Sequence, residues 1–400
     1  MTLKFHKVTA HIERLRKNAL ARATAIQAVL PKAQQALDAA ARRDDLLERS
    51  RKEAMQGWNI AMLTGREPLG LRKPAPPTEP VTVVAVDGSQ IYLDTHAASL
   101  FYALNIGHFI IRGRTGQTDA DSEPAIVFED DALYVEGMLI TQAILNARRS
   151  VEEMVTLQRL AAREQASEGA PPVVALADGR VALRIDEKTV PKSESDALQE
   201  RFFQAVDRLA EDGVPPAGYI ARPGGSPVLS LLALALNADP DPTVEQIRTS
   251  LKQFRGLTDS ALYETILAPG ERSAVFESGA PWNTFYRDRA ARTGTPSHSV
   301  HFFYVNVGRR YPVVARVEIP EWVAARPALV DRVHAALVEQ SAVTLNDPYP
   351  YALIRADEEA FISGEEKNYL EEQMAVALIR DGLRVNRSEK LSHKARARRH

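Results

Sequence analysis

Cysteine is absent from the 400 residues. Its absence excludes a disulfide framework, thiolate metal sites and cysteine nucleophiles, and it fits a reducing cytoplasm. No window approaches the ~18 consecutive apolar residues of a membrane span, so no membrane segment is expected. The first stretch, MTLKFHKVTAHIERLRKN, lacks the apolar core of a secretory signal. Charge of one sign is lacking too: 50 Lys and Arg stand against 52 Asp and Glu, a formal net charge of −2. Any nucleic-acid contact must therefore come from local patches. What is present is ordinary globular composition, 45% hydrophobic and 26% charged, in a chain long enough for one large or two ordinary domains.

Residues 9–58 read as one long alanine-rich helix, with Leu15, Ala19, Ile26 and Leu30 at helical spacing and Pro31 as a kink or break. This N-terminal helical arm, 1–64, packs on its own core or docks a partner. A Pro-rich linker, 65–80, follows. From Val81 the pattern turns to strands, with Val81–Val86, Ala98–Arg112 and Ala125–Phe128 as a three-strand meander. A helical stretch covers 132–165, then a strand at 173–177 that continues over 181–185. Later elements are a helix at 196–212, a strand at 218–220, a hairpin over 300–319, and helices at 328–341 and 357–383. The basic tail, 384–400, has almost no apolar residues and is expected to be disordered, either merely solvated or gripping an acidic partner or DNA.

Two apolar strands each end in Asp-Gly: VTVVAVDGSQ at Asp87 and PPVVALADGR at Asp178. Either dipeptide alone reads more simply as a turn. Together, separated by a long helix, they suggest a ribonuclease-H-like α/β core, a mixed sheet flanked by helices, in which the first and fourth strands are neighbours. Two carboxylates at close range repel, and a divalent cation relieves the repulsion. Hard oxygen donors favour Mg²⁺ or Mn²⁺. A third acid should come from the intervening helix. Glu136, Glu152 and Glu153 are the candidates, and Glu153 shares a face with Leu157 and Leu160. Glu152 reads more simply as an ion-pair partner of a nearby Arg. His298 and His301 look like a metal pair, but a strand points them to opposite faces. Phe302, Phe303 and Tyr304 offer a stacking platform for single strands, although at least two of them suit a core better.

The ordered set VAVDGSQ, RRSVEEMVTLQRL, VVALADG, AGYIARP, LTDSALYETILAPGERSAVF, VHFFYVNVG and YPYALIRADEEAFIS resembles the NurA nuclease family. That family is the DNA-end-processing partner of the HerA hexameric ATPase. The resemblance spans about 83–362 and implies a nuclease domain over 81–383. It implies a toroidal homodimer that uses Mn²⁺, with Mg²⁺ as the substitute, for 5′-to-3′ exonuclease and single-strand endonuclease activity on DNA ends. By residue it implies Asp87, Glu153 and Asp178 as metal-binding catalytic acids, Tyr219 as a further catalytic residue, and Asp259 and Asp357 as added ligands. Asp357 stands where the family often has histidine. Ser89, Arg222 and Arg272 are the substrate-contact candidates, and Arg272 equally suits a buried ion pair with Glu271 or Asp259. The implied role is end resection in double-strand-break repair with a HerA-type translocase. A catalytically silent adaptor of that ATPase is the alternative, supported by Asp357. A ribonuclease-H-like ATPase is a third class, although no Walker-type Gly-x-x-x-x-Gly-Lys-(Ser/Thr) occurs.

Overall fold

The computed structural model describes residues 4–77, 79–95, 99–186, 188–344, 347–380 and Gly382. The basic 384–400 tail lies outside the described residues. In chain order, the first part carries helices α1 (Phe5–Ala40) and α2 (Leu46–Met55) and strands β1 (Ala61–Leu63), β2 (Thr82–Ile91), β3 (Tyr102–Arg112) and β4 (Thr118–Val127). Helix α3 (Gln142–Gln165), strand β5 (Val173–Asp178), helix α4 (Lys192–Glu211), strand β6 (Pro216–Ile220) and helices α5 (Pro227–Ala235) and α6 (Asp259–Tyr263) follow. Strands β7 (Phe276–Ser278), β8 (Val300–Asn306) and β9 (Val314–Pro320) precede helices α7 (Pro327–Val343), α8 (Tyr351–Ala360) and α9 (Gly364–Arg380). Among the described residues no helix is long and apolar enough to cross a membrane.

Two compact units result, one from segments within Met1–Pro77 and Gly218–Tyr349, the other within Thr78–Ala217 and Pro350–His400. This division cuts across the expected arm, linker and nuclease domain. The arm is not separate: Leu30, Ala33, Ala36, Leu37 and Ala40 of α1 are buried in the first unit's core with α5. Strand β1 pairs antiparallel with β7. Pro31 lies inside α1 without ending it. Proline removes one backbone hydrogen bond, and the apolar face around it is packed into the core. The break expected at Pro31 comes instead at residues 41–45, where Arg43 pairs with Asp45 at 2.9 Å.

The second unit holds the strand order β5–β2–β3–β4. Strands β2, β3 and β4 form an antiparallel meander, and β5 runs parallel to β2. This is the strand, strand, strand, helix, strand order that the Asp-Gly pattern predicts. Helix α3 starts at Gln142, not near 132, because Tyr134–Leu139 folds into a tight hairpin. Its turn residues Glu136 and Gly137 both take positive φ, 51° and 77°. Thr141 Oγ then caps the helix by accepting from the Ile144 N–H. Val151, Met154, Leu157 and Leu160 form its buried face. Strand β5 stops at Asp178, since Gly179 at φ +85° turns the chain; the expected continuation over 181–185 is not a strand. The predicted C-terminal helix is two helices, α8 and α9, and Asp357 lies near the end of α8.

Candidate active site

The second unit places Asp87 and Asp178 side by side. The parallel register runs Thr82↔Val173 through Val86↔Ala177, so the next residue on each strand is the acid. Adjacent strands lie about 4.8 Å apart and partners share a face, which puts the two carboxylates within reach of one cation. Asp87 is directly opposite Gly107 on β3. A Cβ at Gly107 would fall 2.2 Å from the Ala360 nitrogen and 2.5 Å from the Ala356 oxygen, so α8 lies against the bare backbone of β3 there. Asp87 shares that face, and its carboxyl hydrogen-bonds that of Asp357.

Two polar residues of the sheet hold α8. The Ser89 hydroxyl donates to the Ala360 carbonyl. Asn105 Nδ2 donates to the same carbonyl at 2.9 Å and to that of Glu359 at 3.1 Å. The last carbonyls of a helix have no partner inside it, and these side chains supply one. Asp357, one turn back, is thereby fixed over Asp87. Ser89, expected to contact substrate, is engaged in this internal bond.

Glu153 arrives from the opposite face. Gly88, next to Asp87, turns toward α3, and a Cβ there would lie 2.6 Å from Glu153 Oε1 and 3.0 Å from Arg149 Cγ. Gly88 is therefore the opening through which the helix acid approaches the middle of β2 beside Asp87. The neighbouring Gly179 has open space around it and serves as a turn. Arg149 Nε stands 3.1 Å from Glu153 Oε1, one helical turn away. Glu152 is paired with Arg201 at 2.7 and 3.1 Å and points elsewhere. Arg149, Glu153, Asp87 and Asp178 all line one cleft of about 510 Å³, together with Asn146 and Arg180.

The electrostatics carry the strain of this crowding. Burial pushes Asp87 up to about 6, helped by the charges of Asp178 and Asp357 and by the Asp357 hydrogen bond, against the Gly88 N–H that donates to Oδ1 at 2.8 Å. Glu153 is pushed up to about 8, chiefly by burial and then by Asp87 and Asp178, with Arg149 opposing. Repelling carboxylates of this kind form a sink for positive charge. Among the described residues no three His, Asp or Glu side chains already stand as an assembled metal site. Glu153 reaches the acid pair over Gly88, on the sheet face opposite the one that α8 covers at Gly107.

The remaining sequence candidates lie in the first unit. Asp259 is fully buried, and its oxygens accept from the Val228 N–H at 2.8 Å, the Leu229 N–H at 2.9 Å and the Tyr304 hydroxyl at 2.8 Å. It caps α5, whose own Ser226 makes no side-chain cap, and this corrects its expected role as a metal ligand: every lone pair in use is taken by a fold-building donor. Arg272 is buried and bidentate to Glu67 at 2.9 and 2.7 Å, with Asp331 at 3.7 Å. It is an internal ion pair, with neither of the partners expected for it, and not a phosphate contact. Tyr219 is buried edge-to-face on Tyr349 at 5.0 Å, whereas Arg222 is exposed. Phe302, Phe303 and Tyr304 are all fully buried, so the stacking platform is core. Sequence reasoning missed Asn105 and Gly107, and it offered Arg149 only as one possible ion-pair partner of the helix glutamates. A lone glycine inside the β-branched and aromatic run of β3 was the available signal of a close approach.

These features define a mixed α/β protein with an acid-lined cleft where β2 and β5 cease to pair. The chain belongs to the NurA family: the family model described as the NurA domain matches residues 81–362. No curated protein matches it. Among solved structures it is similar to the NurA nuclease from Sulfolobus solfataricus, at 14% identity, 84% of this chain, 92% of that chain and TM-score 0.49. It is also similar to a NurA bound to dAMP and manganese, at 12% identity, 96% of this chain, 99% of that chain and TM-score 0.42.

Proposed function

We propose that this chain is a divalent-metal-dependent deoxyribonuclease that hydrolyses DNA phosphodiester bonds. The observation that carries the reading is the in-register pair Asp87 and Asp178, joined by Asp357 and by Glu153 over Gly88. Membership of the NurA family supports it. The donor set fits Mn²⁺ or Mg²⁺: every donor is a hard carboxylate oxygen, and the missing side chain at Gly88 leaves room for Glu153 to join the others.

Asp87, Asp178, Glu153 and Asp357 would hold the metal. When bound, it supplies Lewis-acid stabilisation of charge on the phosphate and leaving oxygen and lowers the pKa of the attacking water. The protein contributes position. Gly88 N–H orients the Asp87 carboxylate, and Ser89 and Asn105 hold Asp357 through the end of α8. Protons on Asp87 and Glu153 leave as positive charge enters. Arg222 keeps an exposed head for a DNA phosphate. Tyr219 is committed to the core, so an effect of changing it would be felt through the packing around β6.

The finer reading is 5′-to-3′ exonuclease and single-strand endonuclease activity on DNA ends. It has the chain working as a homodimer with a HerA-type hexameric ATPase in end resection, in the cytoplasm. Digestion of end-labelled single- and double-stranded DNA with Mn²⁺, Mg²⁺ or EDTA tests it, comparing the natural protein with Asp87→Ala. Cleavage that needs metal and is lost in the variant supports the nuclease. Binding to a hexameric ATPase without cleavage under any metal supports the silent adaptor instead and ends the nuclease reading.

A further inference from the structure

We propose that Arg149 is a phosphate-gripping residue held in reserve by Glu153: when cations enter the acid site, its guanidinium leaves Glu153 and clamps a non-bridging oxygen of the scissile phosphate. The inference rests on the nuclease reading above.

Three observations lead to it. First, Arg149 and Glu153 lie one turn apart on α3 with Nε and Oε1 at 3.1 Å, so the guanidinium occupies a carboxylate that the site needs. Second, the stem is packed while part of the side chain remains exposed. Arg149 Cγ is wedged against the backbone at Gly88, where a Cβ would come within 3.0 Å, yet the side chain is still one-third exposed. Rotation about the outer bonds moves the head along the cleft without moving α3. Third, Arg149 lines the same 510 Å³ space as Asp87, Glu153 and Asp178. Arg180 and Arg184 also line that cleft. Arg149 is in direct contact with Glu153.

Charge supplies the direction of the change. Four carboxylates, Asp87, Glu153, Asp178 and Asp357, lie where β2 and β5 cease to pair, and Arg149 answers one of them. A divalent ion competes for Glu153 with twice the charge and in a site of low dielectric, where the stronger cation prevails. The displaced guanidinium then faces the anion that arrives with the substrate. Its planar fork matches two phosphate oxygens, which a lysine ammonium does not. The same residue thus lowers the repulsion among the acids and, with cations bound, positions substrate.

The test compares natural protein, Arg149→Gln and Arg149→Lys, each first checked for an unchanged thermal transition. Mn²⁺ binding is read by electron paramagnetic resonance without DNA. Thymidine 5′-monophosphate binding in Mn²⁺ is read by calorimetry, so no cleavage intervenes. Arg149→Gln is expected to bind Mn²⁺ at least as tightly as the natural protein, because the competitor for Glu153 is gone, and to bind the mononucleotide at least ten-fold more weakly. Arg149→Lys, which keeps the charge beside Glu153 and guards against a folding defect, should bind the mononucleotide several-fold more weakly. Unchanged mononucleotide affinity overturns the proposal. A parallel loss of Mn²⁺ affinity also overturns it, since Arg149 would then only shape Glu153. Natural protein that binds no Mn²⁺ defeats the nuclease reading itself, an outcome distinct from either.

Discussion

Asp87 and Gly107 are direct cross-strand partners, and the bare backbone at Gly107 is what lets α8 bring Asp357 onto Asp87. A helix backbone sits 2.2 Å from where a Cβ at Gly107 would be, and backbone cannot swing aside as a side-chain tip can. Gly107→Ala is expected to push α8 off the sheet and to destabilise the protein by about 1–3 kcal/mol, the usual cost of overpacking. Cleavage should fall at least ten-fold with it. Urea unfolding and a rate assay on the same preparation check both, and an alanine variant with natural stability would contradict the close approach.

Gly88 tests the opposite face. Its three near neighbours are the far end of Glu153, Arg149 Cγ and Ile106 Cδ1, at 2.6, 3.0 and 3.0 Å from a Cβ. The nearest, Glu153 Oε1, is the far end of a flexible side chain, and the other two need give only a few tenths of an ångström, so Gly88→Ala should fold. Glu153 must then withdraw from the acid pair. Mn²⁺ affinity is expected to drop ten-fold or more while the unfolding midpoint moves little, a separation that Gly107→Ala does not give.

The raised acids make the metal-free protein pH-sensitive. Folded Asp87 titrates near 6 and Glu153 near 8, above ordinary carboxylates, which titrate at about 4. The folded state therefore holds these protons more tightly than the unfolded chain. Their stabilisation is complete below the unfolded value and is lost as pH rises through 6 and then 8. In EDTA the melting temperature should fall by several degrees between about pH 5 and 8, and millimolar Mg²⁺ at pH 8 should restore it. Asp259, pushed up to about 6 by burial, contributes with the same sign. Asp87→Asn isolates the site, since it should flatten part of the slope and abolish the metal rescue. A melting temperature level across this range would refute the account.

Asp259 separates fold from site. Its replacement by alanine leaves the Val228 and Leu229 N–H groups and the Tyr304 hydroxyl without their acceptor. Each unsatisfied buried donor costs about 1–3 kcal/mol, so urea unfolding should show a loss of at least that size. Mn²⁺ affinity of the folded variant should match the natural protein. A selective loss of Mn²⁺ binding at unchanged stability would return Asp259 to the metal.

Legibility differed sharply between the two kinds of acid. Asp87 and Asp178 could be read because each directly follows an apolar run; Asp178 ends β5 as expected, whereas Asp87 lies inside β2, which continues through Gly88 to Ile91 in register with β3. Asp259 could not be told from a ligand, because its carboxylate serves a helix that starts about thirty residues earlier. Arg272 met the same obstacle: its partner Glu67 lies 205 residues away, in what composition marks as a linker. The arm at 1–64 left two readings open, packing on the chain's own core or docking a partner, and the structure shows the first for Leu30–Ala40. Helical periodicity shows that a face is apolar but not what covers it, and the Leu30–Ala40 part of α1 packs in a core that α5 also enters.

By itself, the amino-acid order determined the continuous apolar runs that make β2 and β5 buried strands, the acid after each run, the glycines beside them and the helix between. These follow from side-chain period and backbone freedom within a few residues. Tertiary structure alone decided that Glu153 enters over Gly88 while Asp357 enters over Gly107, and that Asp259 and Arg272 build the fold. Those outcomes depend on which distant backbone comes within van der Waals range of a missing side chain, and no neighbouring residue in the chain encodes that distance.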